Sequence, residues 1–139
     1  MIFLDIMTLY REELLEHYKD PQNFGKIEDP DFVSKEHNPL CGDQQEWMVK
    51  LESAHGSGGQ TENTKLQKII SDVKFTGDGC AISIASASML SEHVKGKALR
   101  EIQDMTHEDM AALIGTTVSP ARMKCLMLGL NTVQKGIDS

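Results

Sequence analysis

The sequence predicts an α+β fold in which a small three-stranded antiparallel sheet carries helices packed on one face. Trp47, Val49 and Leu51 alternate with polar residues, and a second alternation runs through residues 69–75, so two strands follow each other without a helix between them. Ala81–Val94 is then helical by pattern and rich in small residues, which allow close packing on a sheet. Strands joined without a crossover pair antiparallel, and one face of such a sheet needs a cover.

The composition is that of an acidic globular protein, and 139 residues are expected to form one domain, 1–139. A net charge of −7 without a Lys/Arg cluster argues against a nucleic-acid partner. No apolar run is long enough to span a membrane, and the apolar start contains Asp5 and lacks the basic region of a signal peptide. Three widely spaced cysteines are typical of a reducing compartment, so we expect a cytoplasmic protein.

The elements around the two strands are predicted in chain order. A helix is expected over about residues 8–18, since one apolar face repeats at helical spacing, formed by Met7, Tyr10, Leu14 and Tyr18. Turn-forming residues 20–25 end it, and residues 31–37 predict a short first strand. Residues 54–64 are rich in glycine and polar side chains and predict a long exposed loop between the second and third strands.

The C-terminal half is predicted to be helical. Gly96 ends the helix that follows the third strand, and residues 99–105 are ambiguous. Thr106 with Asp109 opens a short helix, and Ser119-Pro120 opens the last one. The last helix has one apolar stripe: Met123, Leu126, Met127, Leu130, Val133 and Ile137. Cys125 lies roughly 130° from the centre of that stripe and is not expected to be a core residue.

Residues 76–83 contain two glycines around Asp78, followed by Cys80 at the predicted helix start. Asp78 is a candidate N-cap, which would place Cys80 in the first helical turn, where the amide dipoles favour a thiolate. The alternative is that Cys80 is a small buried apolar residue, as many free cysteines are.

All three cysteines have polar or glycine-rich neighbours, which is typical of ligands rather than of core residues. Three thiolates and one carboxylate would fill a tetrahedral zinc site or hold an iron–sulfur cluster, and Asp43, two residues after Cys41, is the candidate oxygen donor. Nucleophilic catalysis has less support, because no motif places a histidine beside one cysteine. His37 is a weak candidate for a supporting role, and His55 and His107 are expected at the surface.

Four ordered segments carry a family resemblance: HYKDPQNFG at 17–25, NPLCGD at 38–43, GDGCAIS with ASAS at 77–88, and PARMKC at 120–125. Together they resemble the U-type iron–sulfur cluster assembly proteins, the family of IscU, SufU and the NifU N-terminal domain. The resemblance extends from residue 9 to about residue 137 and implies a SufE/NifU-like fold whose ligand cysteines meet at one end of the sheet.

The resemblance also implies the site and its role. The implied ligands are Cys41, Asp43, Cys80 and Cys125, which in such proteins hold a transient [2Fe-2S] cluster, Fe²⁺ or Zn²⁺. Such proteins accept persulfide sulfur from a PLP-dependent cysteine desulfurase and serve apo iron–sulfur recipient or carrier proteins, as scaffolds and sulfur carriers rather than as enzymes. Cys41, in the loop predicted to be the most mobile, is the expected sulfur acceptor.

The chain departs from the IscU pattern near its last cysteine. IscU-like members carry a histidine there, inside an LPPVK-type chaperone-recognition segment, whereas this chain has Lys124 after a different segment, 117–122. This difference argues against recognition by an Hsp70-type chaperone. Arg122-x-Lys124-Cys125 is similar to the SufU branch, although the insertion of that branch between the last two cysteines is missing. Arg122 and Lys124 would place positive charge beside an anionic site. A zinc-dependent sulfurtransferase and a purely structural zinc protein therefore remain alternatives.

Overall fold

Three strands form one antiparallel sheet in chain order: β1 (Phe32–Asn38), β2 (Asp43–Glu52) and β3 (Ile69–Asp78). The computed structural model describes residues 12–39, 42–53, 65–115 and 120–138. In the register, Trp47 of β2 lies opposite Ser34 on β1 and Phe75 on β3. The predicted three-stranded antiparallel sheet of an α+β fold is confirmed. The predicted loop 54–64 lies outside the described residues.

The helices are α1 (residues 12–19), α2 (Ala81–Val94), α3 (Leu99–Gln103), α4 (His107–Ile114) and α5 (Pro120–Asp138), with a 3₁₀ turn at Lys65–Gln67. The ambiguous stretch forms α3. Thr106 caps α4 as predicted, because its hydroxyl accepts a hydrogen bond from the Asp109 amide while the Asp109 carboxylate accepts one from the Thr106 amide. Residues 8–11 and Ser119 lie outside the described residues. No helix in the described part of the chain has the length and apolar character needed to cross a membrane.

Helices α2 and α5 cover one face of the sheet, and the core lies between the helices and the sheet. At its centre the Trp47 and Phe75 rings stack with centroids 5.2 Å apart. The opposite face is more open, since Val33 is half exposed there, although its register partner Met48 is buried. The helices therefore pack on the predicted side of the sheet.

The start of β3 differs from the predicted alternation. The pattern placed Ser71 on the core face with Val73 and Phe75, but Ser71 is exposed and Ile70 is fully buried. The register shifts here, because Lys50 lies opposite Asp72 whereas Leu51 lies opposite Ile70, which leaves Ser71 as an extra residue in β3. Such a β-bulge exchanges the two faces of the strand on one side of it.

The buried side of α5 is wider than the predicted stripe. Cys125, Leu128 and Thr132 are buried, whereas the stripe residues Met123 and Met127 are only partly buried. Cys125 is thus buried although it lies off the predicted stripe, and the apolar core cluster does not include it. The reason is that α5 packs against α2 as well as against β1 and β2, so more than one side of the helix is covered.

Candidate metal centre

Three of the four predicted ligands meet at one end of the sheet. Asp43 is the first residue of β2, Cys80 immediately precedes α2, and Cys125 lies in the second turn of α5. One ligand atom from each residue lies within 4.8 Å of the other two. Residues that are 37 and 45 positions apart in the chain thus converge on one point, which is what a shared metal site requires.

Asp43 connects this cluster to the start of α2. Its carboxylate is almost fully buried, and its Oδ1 accepts a hydrogen bond of 3.1 Å from the Cys80 amide. Its Oδ2 lies 3.8 Å from the Cys80 Sγ. The carboxylate therefore satisfies a free amide at the start of the helix and faces the sulfur at the same time.

The prediction that Asp78 caps α2 was wrong. Cys80 is the N-cap residue, with φ −71° and ψ 167°, and its own side chain makes no capping hydrogen bond. Asp78 is the last residue of β3 and lies opposite Gln44 in the sheet. Because the ladder holds Asp78 in the strand, the capping carboxylate comes from Asp43, a residue distant in sequence.

Two glycines make this close approach possible. A Cβ atom added at Gly79 would lie 2.6 Å from the Asp43 Oδ1, and one added at Gly77 would lie 2.4 Å from the Gln44 carbonyl oxygen. Both distances are far below a normal contact, and the first clash is with a proposed ligand. Only glycine therefore leaves room for the Asp43 carboxylate in its present position.

The donor set fits one soft divalent ion. Zinc bonds of about 2.3 Å to sulfur and about 2.1 Å to oxygen give sulfur–oxygen and sulfur–sulfur distances of roughly 3.6–3.8 Å in a tetrahedron. The Cys80–Asp43 contact already has that length, and Cys125 lies within 4.8 Å of both. Cys41, the predicted fourth ligand, lies outside the described residues, and Gly42 joins it to Asp43. The ligand roles of all four residues stay predictions.

The residues predicted to support the site are at the surface. Arg122 and Lys124 are exposed on α5, and Lys124 lines a groove between α5 and the end of β1. His37 pairs with Gln44 in the sheet and is not among the clustered ligand atoms. The charge-supporting role of Arg122 and Lys124 stays a prediction.

A buried polar group beneath the cluster was missed from the sequence. Gln45, Trp47 and Ser83 are joined by hydrogen bonds and are each at most 1% exposed. A signal for Gln45 was present, because the strand alternation that turns Trp47 inward also turns Gln45 inward. A polar residue at a core position requires a hydrogen-bond partner, so its presence in the sequence indicates a buried polar network.

Comparisons with known proteins place the chain in a family. Residues 9–139 match the model of the NifU-like N terminal domain. The zinc-dependent sulfurtransferase SufU of Bacillus subtilis (strain 168) is 33% identical, over 94% of this chain and 90% of that protein. The iron–sulfur cluster assembly scaffold protein IscU of Aquifex aeolicus (strain VF5) is 34% identical, over 92% and 73%.

A solved structure shares the fold as well. It is that of a putative iron–sulfur cluster assembly scaffold protein for the SUF system from Fervidobacterium islandicum AW-1, with a TM-score of 0.67 and 26% identity over 91% of this chain and 94% of that one. The sheet and its covering helices thus form a fold already seen in a solved structure. The chain is a member of the NifU-like N-terminal domain family.

Proposed function

We propose that this protein is an iron–sulfur cluster assembly scaffold that accepts persulfide sulfur and assembles or relays a labile [2Fe-2S] cluster. The observation that carries the proposal is the convergence of Asp43, Cys80 and Cys125, whose ligand atoms lie within 4.8 Å of one another. Cys41 lies two residues before Asp43 and is the proposed fourth ligand. Similarity to scaffold proteins of the IscU and SUF type supports the same role.

The proposed sulfur transfer is an exchange at a sulfur–sulfur bond. The Cys41 thiolate attacks the outer sulfur of a persulfide on a PLP-dependent cysteine desulfurase. A new sulfur–sulfur bond forms on Cys41, the enzyme's own sulfur–sulfur bond breaks, and the desulfurase cysteine leaves as a thiolate. One sulfur atom moves and the number of persulfides is unchanged, so no external oxidant or reductant is needed.

The remaining ligands hold the metal cargo. Cys80 and Cys125 supply sulfur donors, and Asp43 supplies an oxygen donor, which binds a soft metal less firmly than a further thiolate would. Because the Asp43 carboxylate also accepts a hydrogen bond from the Cys80 amide, the carboxylate stays in place when no metal is bound. A pre-arranged site with one weaker donor suits a protein that must load Fe²⁺ and later release a cluster to an apo recipient or carrier protein in the cytoplasm.

A second candidate function is that of a zinc-dependent sulfurtransferase that activates its desulfurase. Two observations favour it: the similarity to Bacillus subtilis SufU, and the distance of 3.8 Å between the Asp43 Oδ2 and the Cys80 Sγ, which suits two ligands of one tetrahedral ion. In this case Zn²⁺ would bind at the same residues and Cys41 would still receive the sulfur. The absence of an LPPVK-type segment before Cys125 is consistent with either function and argues against an Hsp70-type chaperone partner.

Anaerobic reconstitution tests the two functions together. The protein is incubated with Fe²⁺, cysteine, a cysteine desulfurase and a thiol reductant, which supplies the two electrons that convert each persulfide sulfur to sulfide. The visible absorption of a [2Fe-2S] cluster is followed. Absorption that disappears in Cys80→Ala but persists in the exposed control Gln44→Ala would support the scaffold. Desulfurase stimulation that requires Zn²⁺ and Cys41, without a stable cluster, would support the sulfurtransferase. Unchanged cluster formation and stimulation in Cys41→Ala would show that Cys41 is not the acceptor.

A further inference from the structure

Gln45 is a large polar side chain on the core face of the sheet, two residues along β2 from Asp43. It is 1% exposed, and it lies between Asp43 and Trp47 in the inward-facing alternation. A buried carboxamide is costly unless its donors and acceptor are satisfied, because it has lost its hydrogen bonds to water. The partners of Gln45 therefore indicate what the residue is for.

The carboxamide joins β2 to the first turn of α2. Its Nε2 donates to the Ser83 carbonyl oxygen at 3.1 Å and contacts the Ser83 hydroxyl at 3.0 Å. Its Oε1 accepts a hydrogen bond of 2.8 Å from the Trp47 indole. Ser83 lies three residues after Cys80, so this connection is about one helical turn along α2 from the Cys80–Asp43 contact.

The same side chain also lies against α5. A Cβ atom added at Gly129 would be 3.1 Å from the Gln45 Oε1 and 3.0 Å from the Trp47 ring. Gly129 follows Cys125 by four residues, which is about one helical turn. Gln45 thus lies on the strand of Asp43, bonds to the helix of Cys80 and lies close to the helix of Cys125, two to four residues beyond each proposed ligand.

We propose that Gln45 is a positioning residue that fixes the separation of Asp43, Cys80 and Cys125 through its bonds to Ser83 and its contact with Gly129. The proposal rests on the ligand roles given above. Residues that orient metal ligands commonly change metal affinity by roughly 10–100-fold when they are replaced. Gln45 acts from beneath the ligands and touches no metal, so its effect is on the geometry of the site.

Replacement by methionine is the main test, because Gln45→Met keeps the length of the side chain and removes its hydrogen bonds. Zn²⁺ affinity is measured by competition with a chromophoric chelator, and site geometry is followed by the d–d absorption of the Co²⁺-substituted protein. We expect a 10–100-fold loss of Zn²⁺ affinity and an altered Co²⁺ spectrum. Ser83→Ala, which removes one of the partners, is expected to show the same change in smaller degree, about 3–10-fold.

Two control variants separate positioning from general destabilisation. Gln44→Met makes the same substitution on the adjacent, exposed residue and is expected to bind Zn²⁺ as the wild type does. Ile102→Ala removes a fully buried side chain of α3 and is expected to lower stability without changing Zn²⁺ affinity. If Gln45→Met matched wild type in affinity and in Co²⁺ spectrum, the proposal would be wrong. If Gln45→Met did not fold, an unchanged Ser83→Ala protein would overturn it.

A measurement without metal keeps this inference distinct from the proposed function. The Cys80 amide donates to Asp43, so its hydrogen exchange reports how well the two residues are held together. In chelator-treated protein we expect at least 10-fold faster exchange of this amide in Gln45→Met, and no change in Gln44→Met. A wild type that bound no metal would refute the ligand roles, while this exchange result would still decide whether Gln45 holds the two elements. Equal exchange rates would refute the positioning role.

Discussion

The two ends of α2 are attached to the sheet in different ways. At the start of the helix the contacts are made by polar side chains. The Asp43 carboxylate accepts a hydrogen bond from the Cys80 amide, and the Gln45 carboxamide donates one to the Ser83 carbonyl oxygen. Beyond its end the attachment is made by backbone and apolar packing. The Ile70 amide donates a hydrogen bond to the Lys97 carbonyl oxygen, and the Ile70 carbonyl oxygen accepts one from the Gly96 amide. The neighbouring side chains of Val94 and Leu99 are fully buried.

The difference separates stability from function along one helix. Apolar burial beyond the C-terminal (far) end of α2 contributes free energy that does not depend on a ligand. The polar contacts at its N-terminal (near) end instead orient the proposed metal ligands. Substitutions at the far end should therefore change stability alone, and substitutions at the near end should change metal binding. Four experiments test this division.

The largest effect is expected at the far end. Leu99→Ala removes a fully buried side chain, and such a change costs about 2–5 kcal/mol of unfolding free energy. Urea denaturation of the metal-free protein measures this loss. The Zn²⁺ affinity of the folded fraction is expected to stay at the wild-type value. A fall in affinity comparable to that of Gln45→Met would show that the two ends are coupled.

Metal binding itself is expected to stabilise the near end. Zn²⁺ at about 100 times its Kd should raise the unfolding free energy by about 2.7 kcal/mol if it binds the native state alone. The rise is measured from thermal or urea unfolding with and without the ion, and a chelator should reverse it. Cys80→Ala should show a much smaller rise. The same rise in this variant would mean that the ion binds elsewhere.

An intermediate effect is expected from crowding the proposed ligands. Gly79→Ala would place a methyl group 2.6 Å from the Asp43 Oδ1, so the carboxylate must move. We expect a stability loss of about 1–3 kcal/mol and roughly a 10-fold loss of Zn²⁺ affinity. Gly136→Ala is the matched control, because its methyl group would lie 2.5 Å from the Phe32 ring, away from the cluster. Equal loss of affinity in both variants would contradict the division.

The smallest effect is expected in the middle of α2. The Ser88 hydroxyl accepts a hydrogen bond of 2.7 Å from the Gln22 amide and contacts the His17 Nδ1 at the same distance. Ser88→Ala should cost about 1–2 kcal/mol, since a backbone amide loses its partner. Zn²⁺ affinity should be unchanged in chelator competition. A changed Zn²⁺ affinity would show that residues of α2 beyond its first turn also affect metal binding.

The fold was predictable because its signals are local. Alternation over β2, the small residues of α2 and the Thr106–Asp109 cap each identify an element from a few neighbouring residues. The bulge at Ser71 was not predictable from β3 alone, since it depends on the pairing of Lys50 and Leu51 in another strand. The wide buried side of α5 depends likewise on how many neighbours the helix has.

The clustered residues of the candidate site could be named from the sequence, but the hydrogen bonds that hold them in place could not. Cys80, Cys125 and Asp43 stood out as polar-loop or off-stripe residues, and the structure brings them together. The capping role of Asp43 toward Cys80 could not be read from the sequence, because the two residues are 37 positions apart. The residues next to Cys80 instead predicted Asp78 as the cap, but Asp78 is paired with Gln44 in the sheet.

The three clustered side chains are unequally buried, which leaves one of the proposed donors open to solvent. Asp43 and Cys125 are almost fully buried, whereas Cys80 is only partly buried. Among these three proposed ligands, an ion entering from solvent would therefore meet the Cys80 sulfur first. Where each proposed donor lies relative to solvent would thus order the exchange of a metal among the three, with the Cys80 sulfur making its bond first and losing it last.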